Sequence, residues 1–190
     1  MDFGKLLSSY SRIIVELGMG DGKLLENLAK VDPVSLYLGI ELKSQLCDQA
    51  RSRIALDNNL LIMNGSFEKV IREFPDASVD RFICVLPDPA YIDEKRQQKW
   101  VPFYRLVHVK LKNSGTFQLI TELTNDLLQP VSPSEYSRWA SWLNATFSSI
   151  GFIILNQYEG APIGYFSRCL DQFRGDTERI RITTLEMGKF

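Results

Sequence analysis

Short apolar runs alternate with stretches of helical period along most of the chain. Residues 12–17 (RIIVEL) form a continuous apolar run that ends at glycines, the pattern of a buried strand. Residues 23–30 (KLLENLAK) space leucines at helical intervals, and Asp32-Pro33 stops that helix. A second strand follows at 35–41 (SLYLGIE), then a helix at 44–56 and a third strand at 60–63. Ser66 stands as the cap of a helix reaching Phe74, which Pro75-Asp76 ends. Residues 80–86 predict a fourth strand, 95–111 a helix, and 115–121 a fifth strand after the turn Lys112-Asn113-Ser114. A helix over 134–150, capped by Ser132 or Ser134 and stopped by Gly151, precedes two more strands at 152–158 and 179–185. Residues 159–175 have weak periodicity, with Gly160, Pro162 and Gly164 as breakers.

Strands and helices in alternation, joined by short connections, give an α/β fold with a mostly parallel seven-stranded sheet and helices on both faces. The last two strands have no long helix between them, which predicts one antiparallel edge strand. Ligands of such sheets bind beyond the carboxyl ends of the strands. At 190 residues the chain is expected to be one domain, 1–190, with 159–175 as a variable insertion on the substrate side.

Composition changes this picture little. Hydrophobic residues at 45% and charged residues at 24% are ordinary for a soluble globular protein. Neither a leader nor an apolar run long enough for a bilayer is visible, so a cytoplasmic location is expected. Cys47, Cys84 and Cys169 are far apart and form no CxxC pair, so no disulfide framework and no metal site is expected, and all three read as small core residues. His108 is the only histidine and sits in a helical setting (RLVHVKL), which leaves little room for a Ser-His-Asp triad. Charge is uneven: Lys95, Arg96, Lys99, Arg105, Lys110 and Lys112 follow one another with no acid between them, a candidate anion-binding face on an acidic body.

Candidate chemistry gathers at the strand ends. The first strand runs into ELGMGDG, where Gly18, Gly20 and Gly22 let the backbone turn sharply and approach a ligand. The pattern is GxGxG, short of the full dinucleotide fingerprint, and no GxxxxGK[ST] loop is present. The second strand ends in Glu41, an acid suited to a ribose diol. Glu16, just before the glycines, suits a ligand with a cationic amino-acid end, and Asn64-Gly65-Ser66 closes the third strand where an adenine would lie. In these residues the sequence resembles class I S-adenosylmethionine-dependent methyltransferases along nearly its whole length. The resemblance implies their Rossmann-like fold, S-adenosylmethionine as cofactor with S-adenosylhomocysteine as product, and a cofactor site at Glu16, Gly18, Gly20, Gly22, Glu41, Ser66 and Pro87.

The stretch VLPDPAYIDEKRQQKW narrows the resemblance. Within that class, tRNA (guanine-N7)-methyltransferases carry a PDP motif at the fourth strand's end, followed by a basic segment and a helix. This chain has Pro87-Asp88-Pro89, then Lys95-Arg96-Gln97-Gln98-Lys99-Trp100, and Thr121-Glu122 where the family usually has Thr-Asp. Guanine N7 offers a free lone pair and loses no proton, so the reaction is one of positioning and needs no general base. The resemblance implies Asp88 as the central residue of transfer, reading guanine N1–H and its amino group. Tyr91 or Trp100 would stack on the base, Lys95, Arg96 and Lys99 would hold phosphates, and Thr121 and Glu122 would complete the substrate side. The implied partner is RNA, tRNA first.

The chain also departs from that family. Only about a dozen residues precede the first strand, which makes a homodimer or partner subunit supplying RNA contacts a candidate. The family's Thr-x-Tyr-Glu is absent, and the nearest text places Thr177 and Glu178 side by side. Four other readings stay open. Asp88-Pro89-Ala90-Tyr91 is one residue from the DPPY motif of amino-group methyltransferases. A short N-terminus, Gly20-Asp21-Gly22 and the segment 164–175, with Tyr165, Phe166, Arg168 and Arg174, resemble 16S rRNA adenine-N1 methyltransferases linked to aminoglycoside resistance. The missing motif supports a non-catalytic cofactor-binding relative, and a small-molecule methyltransferase is set apart by salt, since only an RNA substrate makes binding fall steeply with ionic strength.

Overall fold

A computed structural model describes residues 3–54, 59–125, 129–165 and 167–190. Its strands are β1 (Ile13–Leu17), β2 (Leu36–Glu41), β3 (Leu60–Asn64), β4 (Val79–Val85), β5 (Leu111–Leu123), β6 (Ile153–Glu159) and β7 (Arg181–Gly188). The helices are α1 (Phe3–Leu7), α2 (Lys23–Val31), α3 (Ser44–Arg53), α4 (Phe67–Val70), α5 (Gln97–Lys110), α6 (Pro133–Ile150) and α7 (Arg168–Arg174). The sheet order is β3-β2-β1-β4-β5-β7-β6. All neighbouring pairs from β3 to β5 are parallel, and β7 runs antiparallel to both β5 and β6. The expected antiparallel pairing is therefore confined to that edge of the sheet, with β7 inserted between β5 and β6.

Two cores sandwich the sheet. On one face, Phe82 and Phe117 of the strands meet Trp100 and Tyr104 of α5 and Phe147 of α6. On the other, Ile14, Ile83 and Ile120 meet Leu24 and Leu25 of α2, Ala50 of α3 and Leu170 of α7. The strands read as continuous apolar runs because both faces are covered; every residue of β1 and β2 is buried. Turn chemistry at α6 is as expected: Ser132 and Glu135 form a reciprocal capping box, and Gly151 ends the helix at φ 118°.

Several expected elements differ. The helix placed after Ser66 is a four-residue α4 followed by a 3-10 turn, and the Ser66 side chain makes no capping bond; its carbonyl accepts the Lys69 and Val70 amides instead. The helix expected over 44–56 stops at Arg53, and residues 55–56 lie outside those described. The weakly periodic 159–175 stretch contains α7, capped by Ser167. Cys47 and Cys84 are core residues as read, but Cys169 is exposed. His108 is packed, its ring 5.0 Å from that of Phe152.

Candidate functional site

The carboxyl ends of β1, β2 and β3 are tied into one platform. The Gly18 and Met19 amides donate to the Ile40 carbonyl at 2.9 and 3.0 Å, so the glycine loop lies across the end of β2. Glu41 then fixes the loop from below: its carboxylate accepts the Gly20 amide at 3.0 Å and the Lys43 amide at 2.8 Å. Asn64 Nδ2 and the Gly65 amide reach the Glu41 carbonyl at 3.0 and 2.9 Å, joining β3 to the same corner. Gly18 and Gly20 have φ of 77° and 57°, values that favour glycine, and a Cβ on either would meet nothing within 4 Å. Their open side faces a cleft.

That cleft has a volume of about 760 Å³ and is lined by Glu16, Gly18, Gly20 and Asp21 on the loop side and by Val85 and Leu86 on the β4 side. Glu16 is 3% exposed, and its Oε2 has no partner among the described residues. Burial first, then the charges of Asp21 and Glu41, raise its carboxyl well above the usual carboxylate range. A buried acid without a partner, beside open glycines, fits a ligand with a cationic amino-acid end, and Glu41 at the strand tip fits a ribose. These residues therefore suit S-adenosylmethionine.

Beside this cleft β4 ends in a strained turn. Leu86 has φ 49° directly before Pro87, a conformation that costs a leucine on the order of 1–3 kcal/mol. Its amide is held by the Ile120 carbonyl at 2.8 Å, which locks the turn to β5. Pro87 is buried and Asp88 exposed. Asp88 Oδ1 accepts the Ala90 amide at 2.9 Å, capping the 3-10 turn Pro89–Tyr91 and leaving Oδ2 without a partner among the described residues. Across from it at the end of β5, Glu122 has a buried Oε2 with no partner among the described residues. Burial, with a smaller push from the Asp88 charge against its own backbone hydrogen bond, raises Glu122 to about 7. Tyr91 is half-buried between the rings of Phe67 (5.0 Å) and Phe103 (5.7 Å), and burial together with Glu68 moves its hydroxyl up to about 12.

The profile of the Methyltransf_4 family, described as "Putative methyltransferase", matches residues 11–138, a span that holds the glycine loop, Glu41 and the Pro-Asp-Pro turn. The chain belongs to this methyltransferase family. It is 30% identical over 127 residues to a tRNA (guanine-N(7)-)-methyltransferase of Yersinia enterocolitica, a match covering 64% of this chain and 53% of that protein. The chain thus spans about half the length of the guanine-N7 relatives it matches. Among solved structures, the 16S rRNA methyltransferase KamB superposes with a TM-score of 0.73 at 16% identity, over 98% of this chain and 92% of that one. A 16S rRNA (adenine(1408)-N(1))-methyltransferase variant from Catenulisporales acidiphilia, solved with cosubstrate SAM, gives 0.70 at 14% identity, over 98% and 89%. At such identities the likeness is one of fold, the class I methyltransferase fold.

In this Methyltransf_4 chain, Glu16, Gly18 and Gly20 come together at the cleft, with Glu41 fixing the loop. Gly22 does not line it; a Cβ there would lie 3.3 Å from the Ala50 Cβ, so this glycine serves the packing of α2 on α3. Ser66 sits at the β3 corner beside Gly65, outside the cleft wall.

On the substrate side, Trp100 corrects the sequence reading. It is 1% exposed, packs on Tyr104 and Phe147, and donates Nε1–H to the Asp93 carbonyl at 2.9 Å, so it is a core residue and no base can stack on it. Thr121 is likewise fully buried, its hydroxyl unpartnered among the described residues. The basic run is also divided. Lys110 is buried against Asp76 and Lys112 pairs with Asp80, both at 2.7 Å, while Arg96 pairs with Asp93 at 3.3 Å. Lys95 and Lys99 are exposed with no ion pair among the described residues.

Two parts of the cleft escaped the sequence reading. Lys43, two residues past Glu41, lines the cleft, and nothing in its sequence setting signals that. Ser167, Cys169 and Gln172 form the far wall beside Tyr165, which the sequence had already singled out, from a stretch with no clear periodicity. Phe166, singled out beside Tyr165, lies outside the described residues.

Proposed function

We propose that the chain is an S-adenosylmethionine-dependent RNA base methyltransferase acting on guanine N7 of tRNA. The observation that carries this reading is the Pro-Asp-Pro turn: a strained, locked strand end that holds Asp88, with one carboxylate oxygen unpartnered among the described residues, beside the cofactor cleft. The curated relatives named for that reaction support it over about half their length. Bound in the cleft, S-adenosylmethionine supplies the methyl group. Glu16 neutralises its cationic end, Glu41 holds the ribose and the glycine loop, and Gly18 and Gly20 admit close backbone approach. Asp88 accepts from guanine N1–H and the amino group, which points N7 toward the cleft with no proton to remove. Tyr91 stacks on the base, and Lys95 and Lys99, with Arg96, hold the RNA backbone. No described helix is long and apolar enough to cross a membrane, and a cytoplasmic place of action suits a tRNA substrate.

A second reading, transfer to adenine N1 of 16S rRNA, is favoured by Tyr165, Ser167, Cys169 and Gln172 of the 164–175 stretch, which line the cleft. The test is transfer from isotope-labelled S-adenosylmethionine to bulk tRNA and, separately, to small ribosomal subunits, with the product digested to nucleosides and identified by mass. 7-Methylguanosine from tRNA is the expected product, and methyladenosine from ribosomal subunits would replace this reading with the second. In the same assay Asp88→Ala is expected to lower transfer at least about a hundredfold while S-adenosylhomocysteine affinity stays near that of the unaltered chain. Full turnover by that variant would remove Asp88 as the base reader.

A further inference from the structure

The cleft wall contains a thiol that methyl transfer does not use. Cys47 and Cys84 are buried, and burial raises both thiols above their ordinary value, which makes them poor nucleophiles. Cys169 is exposed and lines the same cleft as Glu16 and Gly18.

Its position is fixed by the fold. Leu170, the next residue, is fully buried, and its amide donates to Ser167 Oγ at 3.1 Å. A few residues earlier, the Tyr165 hydroxyl donates to Gln118 Oε1 of β5 at 2.5 Å, and Arg81 Nη2 of β4 donates to both, at 3.0 Å to Tyr165 and 2.9 Å to Gln118. The thiol is thus held at the wall of the cleft by a segment pinned to the sheet on either side of it. An independent sign that this cleft takes a ligand is Glu16, 3% exposed, with an oxygen unpartnered among the described residues. A group attached to Cys169 would extend from the wall of the same cleft that Glu16 and Gly18 line.

We propose that Cys169 is a thiol-disulfide exchange site in the cofactor cleft, and that a mixed disulfide formed there with a low-molecular-weight disulfide excludes the cofactor. The inference rests on reading the cleft as the S-adenosylmethionine site. The Cys169 thiol gives its proton to solvent, and the thiolate attacks one sulfur of the disulfide. One S–S bond forms as the other breaks, and the second sulfur leaves as a thiolate that takes up a proton. Cys169 is oxidised and half of the reagent reduced; an added thiol runs the exchange backward.

The probe is glutathione disulfide, applied to the full chain. Intact mass and peptide mapping locate the adduct, and calorimetry reads S-adenosylhomocysteine affinity before treatment, after it, and after dithiothreitol. The expected result is one adduct, on Cys169, with affinity at least about tenfold weaker and restored by reduction. Saturating S-adenosylhomocysteine should slow adduct formation, and Cys169→Ser protein should show one affinity before and after treatment. An adduct on Cys169 with unchanged affinity would overturn the proposal. So would failure of Cys169 to react, or a loss of affinity that persists in Cys169→Ser. Untreated protein with no affinity for S-adenosylhomocysteine would instead overturn the cofactor reading, and the exclusion with it, while the mass still reports whether the thiol reacts.

Discussion

Glu122 and Asp88 show how little sequence distance says about chemical distance. They stand at the ends of two neighbouring strands, and the Asp88 charge helps hold the Glu122 proton to about pH 7. A carboxyl whose folded value is raised stabilises the fold fully below its ordinary value of 4.5 and loses that contribution as pH rises from there through about 7. Glu122→Gln keeps the shape and removes the titration. Between about pH 5 and about pH 8 the unaltered chain is expected to lose on the order of 2–3 kcal/mol through this group, and the variant is not. Urea unfolding at each pH measures it; identical pH slopes in the two proteins would show that Glu122 ionises freely. Acids at strand ends, such as Glu16 and Glu41, were legible because a charged residue closing an apolar run is a local signal. The burial that shifts Glu122 was not, because it is made by the other strands.

At the scale of elements, the connection from β4 to α5 is a folded unit. Asp93 accepts the Lys95 amide at 2.8 Å, Glu94 meets Arg138 of α6 at 3.0 Å, and Trp100 is anchored beneath through the Asp93 carbonyl. Trp100→Ala should therefore cost about 3–5 kcal/mol of stability, the usual range for a buried tryptophan. Denaturant unfolding would read that loss. Stability unchanged with RNA affinity weakened would restore the stacking role that the core position denies. From sequence, an aromatic beside basic residues fits a base platform as well as it fits a core, and only the partners on α6 decide. The central strands were legible because both their faces are covered, as in β1 and β2. Helix α7 and the broken helix after Ser66 were not: α7 offers the core little beyond Leu170, and α4 ends within four residues.

At the scale of the whole molecule, the fold decides which charges a substrate meets. Lysine and arginine number 22 against 23 acids, so net charge says nothing about RNA. The basic stretch is continuous along the chain, but α5 separates its two ends by 14 residues, roughly 20 Å of helix, from the carboxyl end of the sheet to its amino end. Lys95 and Lys99 remain at the ligand end, while Lys110 and Lys112 become structural partners of Asp76 and Asp80. Reversing charge at the two ends should then have opposite consequences. Lys95→Glu with Lys99→Glu is expected to weaken tRNA binding and to flatten its dependence on salt by about 1–2 in the log–log slope, since two phosphate contacts are lost. Lys110→Glu with Lys112→Glu should leave that slope as it is and lower stability, because each new carboxylate faces an acid at the edge of the core. Filter binding across a salt series separates the two, and an unchanged slope in the first variant would move the RNA track away from the Pro-Asp-Pro turn.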